Sequence, residues 1–258
     1  MTTIALPRPT QVASAGAHDP TATGLTALVG GQEHQPGCEP IDRMLLAPAA
    51  TSRPHVVVLL AASPVRRRLY KAREAHTYWA RHGAGVHVGC AGRPGDLPAT
   101  ISAIERADLV VLTGGRPWLL HRRLDRSPML DALRQRWAGG MPVAGSSSGA
   151  MAFAAWRLWP TPGSAYGIRP GYGMAPGMVV PHHYRRAAPR LTDGLAAAHP
   201  ALPILSIADR TALVGSGERF TVAGTGNVLL RYGQVARYGQ HGDQLTLPSP
   251  LAAPALAT

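Results

Sequence analysis

Lysine is almost missing from this chain. Lys71 is the only one among 26 basic side chains, so arginine carries the basic character. Acidic residues number only 14, which leaves a formal net charge of +12. Such a charge invites nucleic acid, but the arginines are scattered rather than striped. Aromatic residues, 5% of the chain, do not interleave with them as a single-strand-binding surface requires. No nucleic-acid partner is expected. The two cysteines, Cys38 and Cys90, do not make a disulfide framework, and neither has a Cys or His at metal-ligand spacing. No metal and no organic cofactor is expected. No apolar run approaches membrane-spanning length, and no basic segment leads into an apolar one at the N-terminus. These absences predict a cytoplasmic protein without a membrane partner.

What is present is an apolar fraction of 45%, mostly Ala, Val and Leu, over a length that can bury a substantial core. Residues 1–20 are rich in Thr, Ala and Pro without periodicity and read as a disordered tail. The Ala/Pro-rich residues 248–258 read as a frayed one. Between them, 21–247 read as a single domain. Pro54–Ala62 is a continuous apolar run, as expected of a central strand buried on both faces. Strands are also predicted at Gly24–Gly31, Gly83–Cys90, Asp108–Gly115 and Met141–Gly145. Helices are predicted at Ile41–Ala49, Arg66–His82, Leu97–Arg106 and Pro128–Ala138. This alternation implies βαβ units, a mostly parallel sheet and helices on both faces. After that the pattern changes. Thr161–Gly177 reads as a Gly/Pro-rich connection and Arg190–His199 as a helix. Short strands at Ile204–Ala208, Thr211–Val214, Arg219–Val222 and Val228–Tyr232 form a small antiparallel appendage.

The chemistry centres on Val143-Ala144-Gly145-Ser146-Ser147-Ser148-Gly149-Ala150-Met151. A short apolar strand, a turn flanked by glycines and a helix-compatible Ala150–Trp156 form the nucleophile-elbow pattern G-x-S-x-G, with Ser147 at its centre. The backbone N–H groups that follow sit at a helix start, where they can stabilise an oxyanion. A serine nucleophile needs a base, and the base needs an orienting group. His182 and His183 stand where the Met178–Pro181 strand ends, which is the carboxyl edge where α/β crevices form. Asp209, in a corner between two apolar runs, is costly to bury without a partner. The expected triad is Ser147, His183 and Asp209.

Leu112-Thr113-Gly114-Gly115, Gly145–Ala150, His183-Tyr184 and Ile207–Leu213 occur in the order that resembles the cyanophycinase/dipeptidase E family of serine peptidases. The early Leu28-Val29-Gly30-Gly31-Gln32-Glu33 is similar to the opening strand of cyanophycinase-like members. The resemblance implies a flavodoxin-like fold of the class I glutamine-amidotransferase-like superfamily. It also implies a peptide or amide substrate, a homodimer, and an oxyanion hole from the N–H groups of Gly115 and Ser148. The acid of cyanophycinases is Glu where this chain has Asp209.

The residues around the catalytic positions depart from the cyanophycinase pattern. Arg116-Pro117 follows the double glycine, Pro181-His182 precedes His183, and the following segment, Arg185–Leu191, is short. Cyanophycin is therefore not the expected substrate. Arg116, Arg185, Arg186 and Arg190 are expected to hold an anionic group of a small peptide or amide, since guanidinium suits carboxylate. Two alternatives stay open: a catalytically inactive binding protein of the same fold, and an α/β-hydrolase in which Asp209 is followed by His241 as base.

Overall fold

The computed structural model describes residues 23–90, 94–161, 164–182 and 187–248. The predicted N-terminal tail, 1–20, lies outside them, as does the C-terminal tail beyond its first residue. The first half runs Thr26–Val29 (β1), Glu39–Leu46 (α1), His55–Leu59 (β2), Val65–Arg81 (α2), Gly85–Gly89 (β3), Leu97–Glu105 (α3), Leu109–Leu112 (β4), Pro117–Leu124 (α4), Pro128–Ala138 (α5), Val143–Ser146 (β5) and Ser148–Phe153 (α6). The second half runs Ala154–Thr161 (β6), Ser164–Pro170 (β7), Ala175–Pro181 (β8), Ala187–Ala198 (α7), Ile204–Ile207 (β9), Thr211–Ser216 (β10), Arg219–Gly224 (β11), Asn227–Tyr232 (β12), Val235–Gln240 (β13) and Gln244–Thr246 (β14).

Among the described residues the strands form two sheets. The larger has the order β14-β11-β10-β1-β5-β4-β2-β3. Its strands β1 to β5 are mutually parallel, and β10, β11 and β14 extend it antiparallel. The central strands are buried throughout, which explains their unbroken apolar sequences: Val56 to Leu59 are all fully buried. Alternate side chains serve opposite faces. Val56, Val58, Leu109 and Val111 pack with Ile41 and Leu45 of α1 and Trp79 of α2. Val57, Leu59, Val110 and Leu112 pack with Ile104, Leu120, Leu130 and Phe153 of α3 to α6 on the other side. The mostly parallel sheet with helices on both faces is as the sequence predicts.

The predicted appendage is differently built. Of the late strands, β10, β11 and β14 join the main sheet itself. The Ile204–Ile207 strand enters a second sheet, β13-β12-β9-β8-β6-β7, where it runs parallel to β8. The expected helix through Trp156 stops at Phe153, and β6 starts at Ala154. The expected Gly/Pro-rich connection, 161–177, contains β7 and the start of β8. Among the described residues β7 is an edge strand that pairs with β6 alone, so its Gly167 and Pro170 cost it little. Helix α5 matches its prediction residue for residue. Pro128 opens it, and the Ser127 hydroxyl caps it by accepting from the Leu130 N–H.

Candidate active site

Strand β5 ends at the carboxyl edge of the main sheet and hands the chain to Ser147, which has φ 51° and ψ −109°. A non-glycine residue there stores on the order of 1–3 kcal/mol, so its surroundings must impose the conformation. They do so at both ends. The Ser147 N–H donates to the Val29 carbonyl at 2.9 Å, and its carbonyl accepts from the Met151 N–H at 3.0 Å. The two flanking glycines are required by close approach. A Cβ on Gly145 would lie 2.5 Å from the Gly149 carbonyl oxygen, and one on Gly149 would lie 2.3 Å from that of Leu112.

The three consecutive serines have three different surroundings. Ser146 is buried and donates its hydroxyl to Glu33 Oε2 at 2.5 Å. Ser148 is buried, and its hydroxyl makes no hydrogen bond among the described residues. Ser147 alone is partly open, with Oγ 3.0 Å from an imidazole nitrogen, Nε2 of His182.

The sequence reading expected His183 here; among the described residues the imidazole at this position is that of His182. Strand β8 pairs with β9 so that Pro181 lies opposite Ile207, which brings the next residue, His182, beside the chain leading to Asp209. The His182 N–H donates to the Gly30 carbonyl at 3.2 Å, and its φ of 60° turns the chain out of the strand at that point. The His182 Nδ1 is hydrogen-bonded to Asp209 Oδ1. His183 lies outside the described residues. The strand offered no signal for choosing between the two histidines, because Met178, Val179 and Val180 are all buried and show no alternation.

Asp209 is 4% exposed. A carboxylate so buried needs its oxygens occupied, and both are: Oδ1 by His182 and Oδ2 by the Gln32 side-chain amide at 2.8 Å. The corner that carries it is tied to β1 by two backbone bonds, Arg210 N–H to Gly31 at 2.8 Å and Gly30 N–H to Thr211 at 2.9 Å. Gln32 was not singled out from the sequence, although it directly follows Gly30-Gly31. His241 lies in the turn between β13 and β14, where its Nδ1 accepts from the Gly224 N–H, and it takes no part in the Ser147 relay.

An open cleft of about 530 Å³ exposes Ser147 and His182. Gly114 and Gly115 form one side of it, Gln32 and Glu33 another. Ser148 opens α6, where first-turn N–H groups have no intrahelical acceptor. Helix α2 contributes two cations, Arg67 and Lys71, one helical turn apart on one face. Neither was singled out from the sequence. Lys71 is held by Glu74 at 2.6 Å, and Glu74 by the Gln35 amide at 2.9 Å. Of the arginines expected here, Arg116 is exposed at the start of α4 and Arg190 is exposed on α7. Neither lines the cleft. Arg185 and Arg186 lie outside the described residues. Among the described residues no cluster of His, Cys, Asp or Glu is arranged to hold a metal ion, and no helix is long and apolar enough to cross a membrane.

A strained serine at the carboxyl edge of a parallel sheet, hydrogen-bonded through histidine to a buried aspartate, is the layout of a serine-type hydrolase. The chain belongs to peptidase family S51, whose family model matches residues 26–223, and it is a serine-type peptidase. Its fold is shared by a peptidase from an acI-B1 Actinobacterium, 20% identical, with a TM-score of 0.74 over 88% of this chain and 98% of that one. A peptidase E-type protein from Listeria monocytogenes EGD-e is 14% identical, with a TM-score of 0.60 over 80% of this chain and all of that one. Among curated proteins, none matches.

Proposed function

We propose that the protein cleaves a peptide or amide bond in a small, anionic substrate through an acyl-enzyme. One observation carries this reading: Ser147 Oγ lies 3.0 Å from His182 Nε2, whose other ring nitrogen is bonded to Asp209. His182 Nε2 takes the hydroxyl proton as Ser147 attacks the carbonyl, then delivers it to the leaving amine. Asp209 keeps the Nδ1–H tautomer in place, and Gln32 keeps Asp209 in place. The shorter acid is compensated by the backbone bonds that draw its corner onto β1. The N–H groups of Gly115 and Ser148 receive the oxyanion. Arg67 and Lys71 attract the anionic group of the substrate, a reading supported by their place on the cleft wall. Water then resolves the acyl-enzyme by the same proton route in reverse.

The test is intact mass after treatment with a small fluorophosphonate. Wild type and His183→Ala should each gain one adduct, while Ser147→Ala and His182→Ala should gain none. An adduct lost in His183→Ala but kept in His182→Ala would overturn the assignment of the base. No adduct on any form would favour a non-catalytic binding protein of this fold.

A further inference from the structure

Glu33 occupies the floor of the cleft beside Ser147, yet the proposed proton relay does not use it. Its two carboxylate oxygens reach two different strand ends. Oε2 accepts from the Ser146 hydroxyl at 2.5 Å, and Oε1 accepts from the Gly114 N–H at 3.1 Å. Ser146 immediately precedes the nucleophile, and Gly114 immediately precedes Gly115. One side chain from the loop after β1 therefore joins the turn that carries Ser147 to the loop that carries an oxyanion donor. The two segments are in close contact: a Cβ on Gly114 would lie 3.0 Å from the Ser147 Cβ. The bond also decides which N–H is engaged, since that of Gly114 is taken by Glu33. Burial works against the charge on this carboxyl. The neighbouring His34, the Ser146 hydroxyl and Lys71 outweigh it and hold the group below its ordinary range. An ionised carboxylate offers acceptors on both oxygens, as two donors on separate strands require.

We propose that Glu33 is a positioning residue that tethers the oxyanion loop to the nucleophile turn. It acts through Ser146 and Gly114, from which its two carboxylate oxygens accept. The inference rests on the serine-hydrolase reading above. It predicts a loss in the rate of attack on Ser147 rather than in affinity, because the oxyanion donor is displaced while Arg67 and Lys71, on helix α2, stay in place.

The experiment measures the second-order rate of labelling by a small uncharged fluorophosphonate, with thermal melting as a check on folding. An uncharged probe excludes any role of Glu33 in binding a substrate cation. Glu33→Ala should label about 10- to 100-fold more slowly, below the loss of about 10²–10³ seen when an oxyanion donor is removed outright. Glu33→Gln should recover much of that rate, since its amide oxygen can accept from Gly114 and its NH₂ can donate to Ser146. Ser146→Ala, which removes one tether and leaves the other, should slow labelling several-fold. Folded Glu33→Ala labelling at the wild-type rate overturns the proposal. Should Glu33→Ala fail to fold, wild-type labelling of Ser146→Ala overturns it instead. No labelling of wild type overturns the serine-hydrolase reading, and the tether with it. Labelled wild type beside an equally fast Glu33→Ala overturns the tether alone.

Discussion

Replacing Gly31 by alanine tests how tightly the acid–base pair is packed. A Cβ at this position would lie 2.3 Å from Asp209 Oδ1, 2.3 Å from His182 Cε1 and 2.6 Å from His182 Nδ1. Ordinary contact needs more than 3 Å, so the imidazole or the carboxylate must retreat by about 1 Å. Asp209 has little room to move, with its second oxygen held by Gln32 and its backbone pinned to β1. The displacement therefore falls mainly on His182, and a misplacement of about 1 Å in a catalytic group costs about 100-fold in rate, or ~3 kcal/mol of barrier. Overpacking the site and holding alanine at the φ of 152° found here should each cost about 1–3 kcal/mol of stability. The assay is the turnover of an uncharged activated ester, with thermal melting alongside. Gly31→Ala is expected to remain folded, with kcat down about 100-fold and KM little changed. Activity within threefold of wild type would show that the His182–Asp209 pair has slack, and that its geometry does not limit the rate.

Two further outcomes follow from other parts of the molecule. Arg67→Ala and Lys71→Met should each raise KM for an acidic peptide by about tenfold and leave kcat nearly unchanged, as loss of uniform binding does; Arg116→Ala, outside the cleft wall, should do less. Equal KM values in all three variants would remove α2 from substrate recognition. Asp42, on α1 against α2, is buried with the Tyr78 hydroxyl as donor to its carboxylate, and burial raises its pKa from the ordinary 3.8 to about 6 despite that bond. The folded carboxyl thus binds the extra proton between those values, so Asp42's own contribution to stability falls by up to ~3 kcal/mol as pH rises from about 4 to about 6, while His121, pushed down to about 4 by burial, contributes in the opposite direction over the same window. Relative to wild type, Asp42→Asn should gain stability as pH rises through this window and melt higher at pH 8, and a lower melting temperature at pH 8 would contradict it.

The parallel half of the fold was legible because its strands are unbroken apolar runs separated by amphipathic helices. Pro54–Ala62 and Pro128–Ala138 state their conformations locally. Helix α4 was passed over, although Pro117 opens it and Leu120 and Leu124 repeat at helical spacing. The second sheet was harder to see. Ala154–Thr161 starts as a smooth continuation of a helical sequence, and only pairing with β7 and β8 makes it a strand. Ser147 and Asp209 carried local signals, a glycine-flanked serine and an acid between apolar runs. The base did not, because the choice between adjacent histidines depends on the register of β8 against β9. Arg67 and Lys71 enter the cleft through the packing of α2, which no residue pattern near the elbow records.

The strand order also bears on how the protein comes into being. Strand β1 lies between β5 and β10, so one of its two neighbours is not synthesised until residues 211–216. Ser147 belongs to the first sheet, while His182 follows the last residue of β8 in the second, and Asp209 sits in the corner that links the two. A nascent chain that has already formed its serine turn still lacks the proposed base, the proposed acid and one flank of its first strand. Pairing between such distant segments is slow, so the proposed triad should assemble late in folding. A chain truncated before β10 should therefore fail to react with the fluorophosphonate.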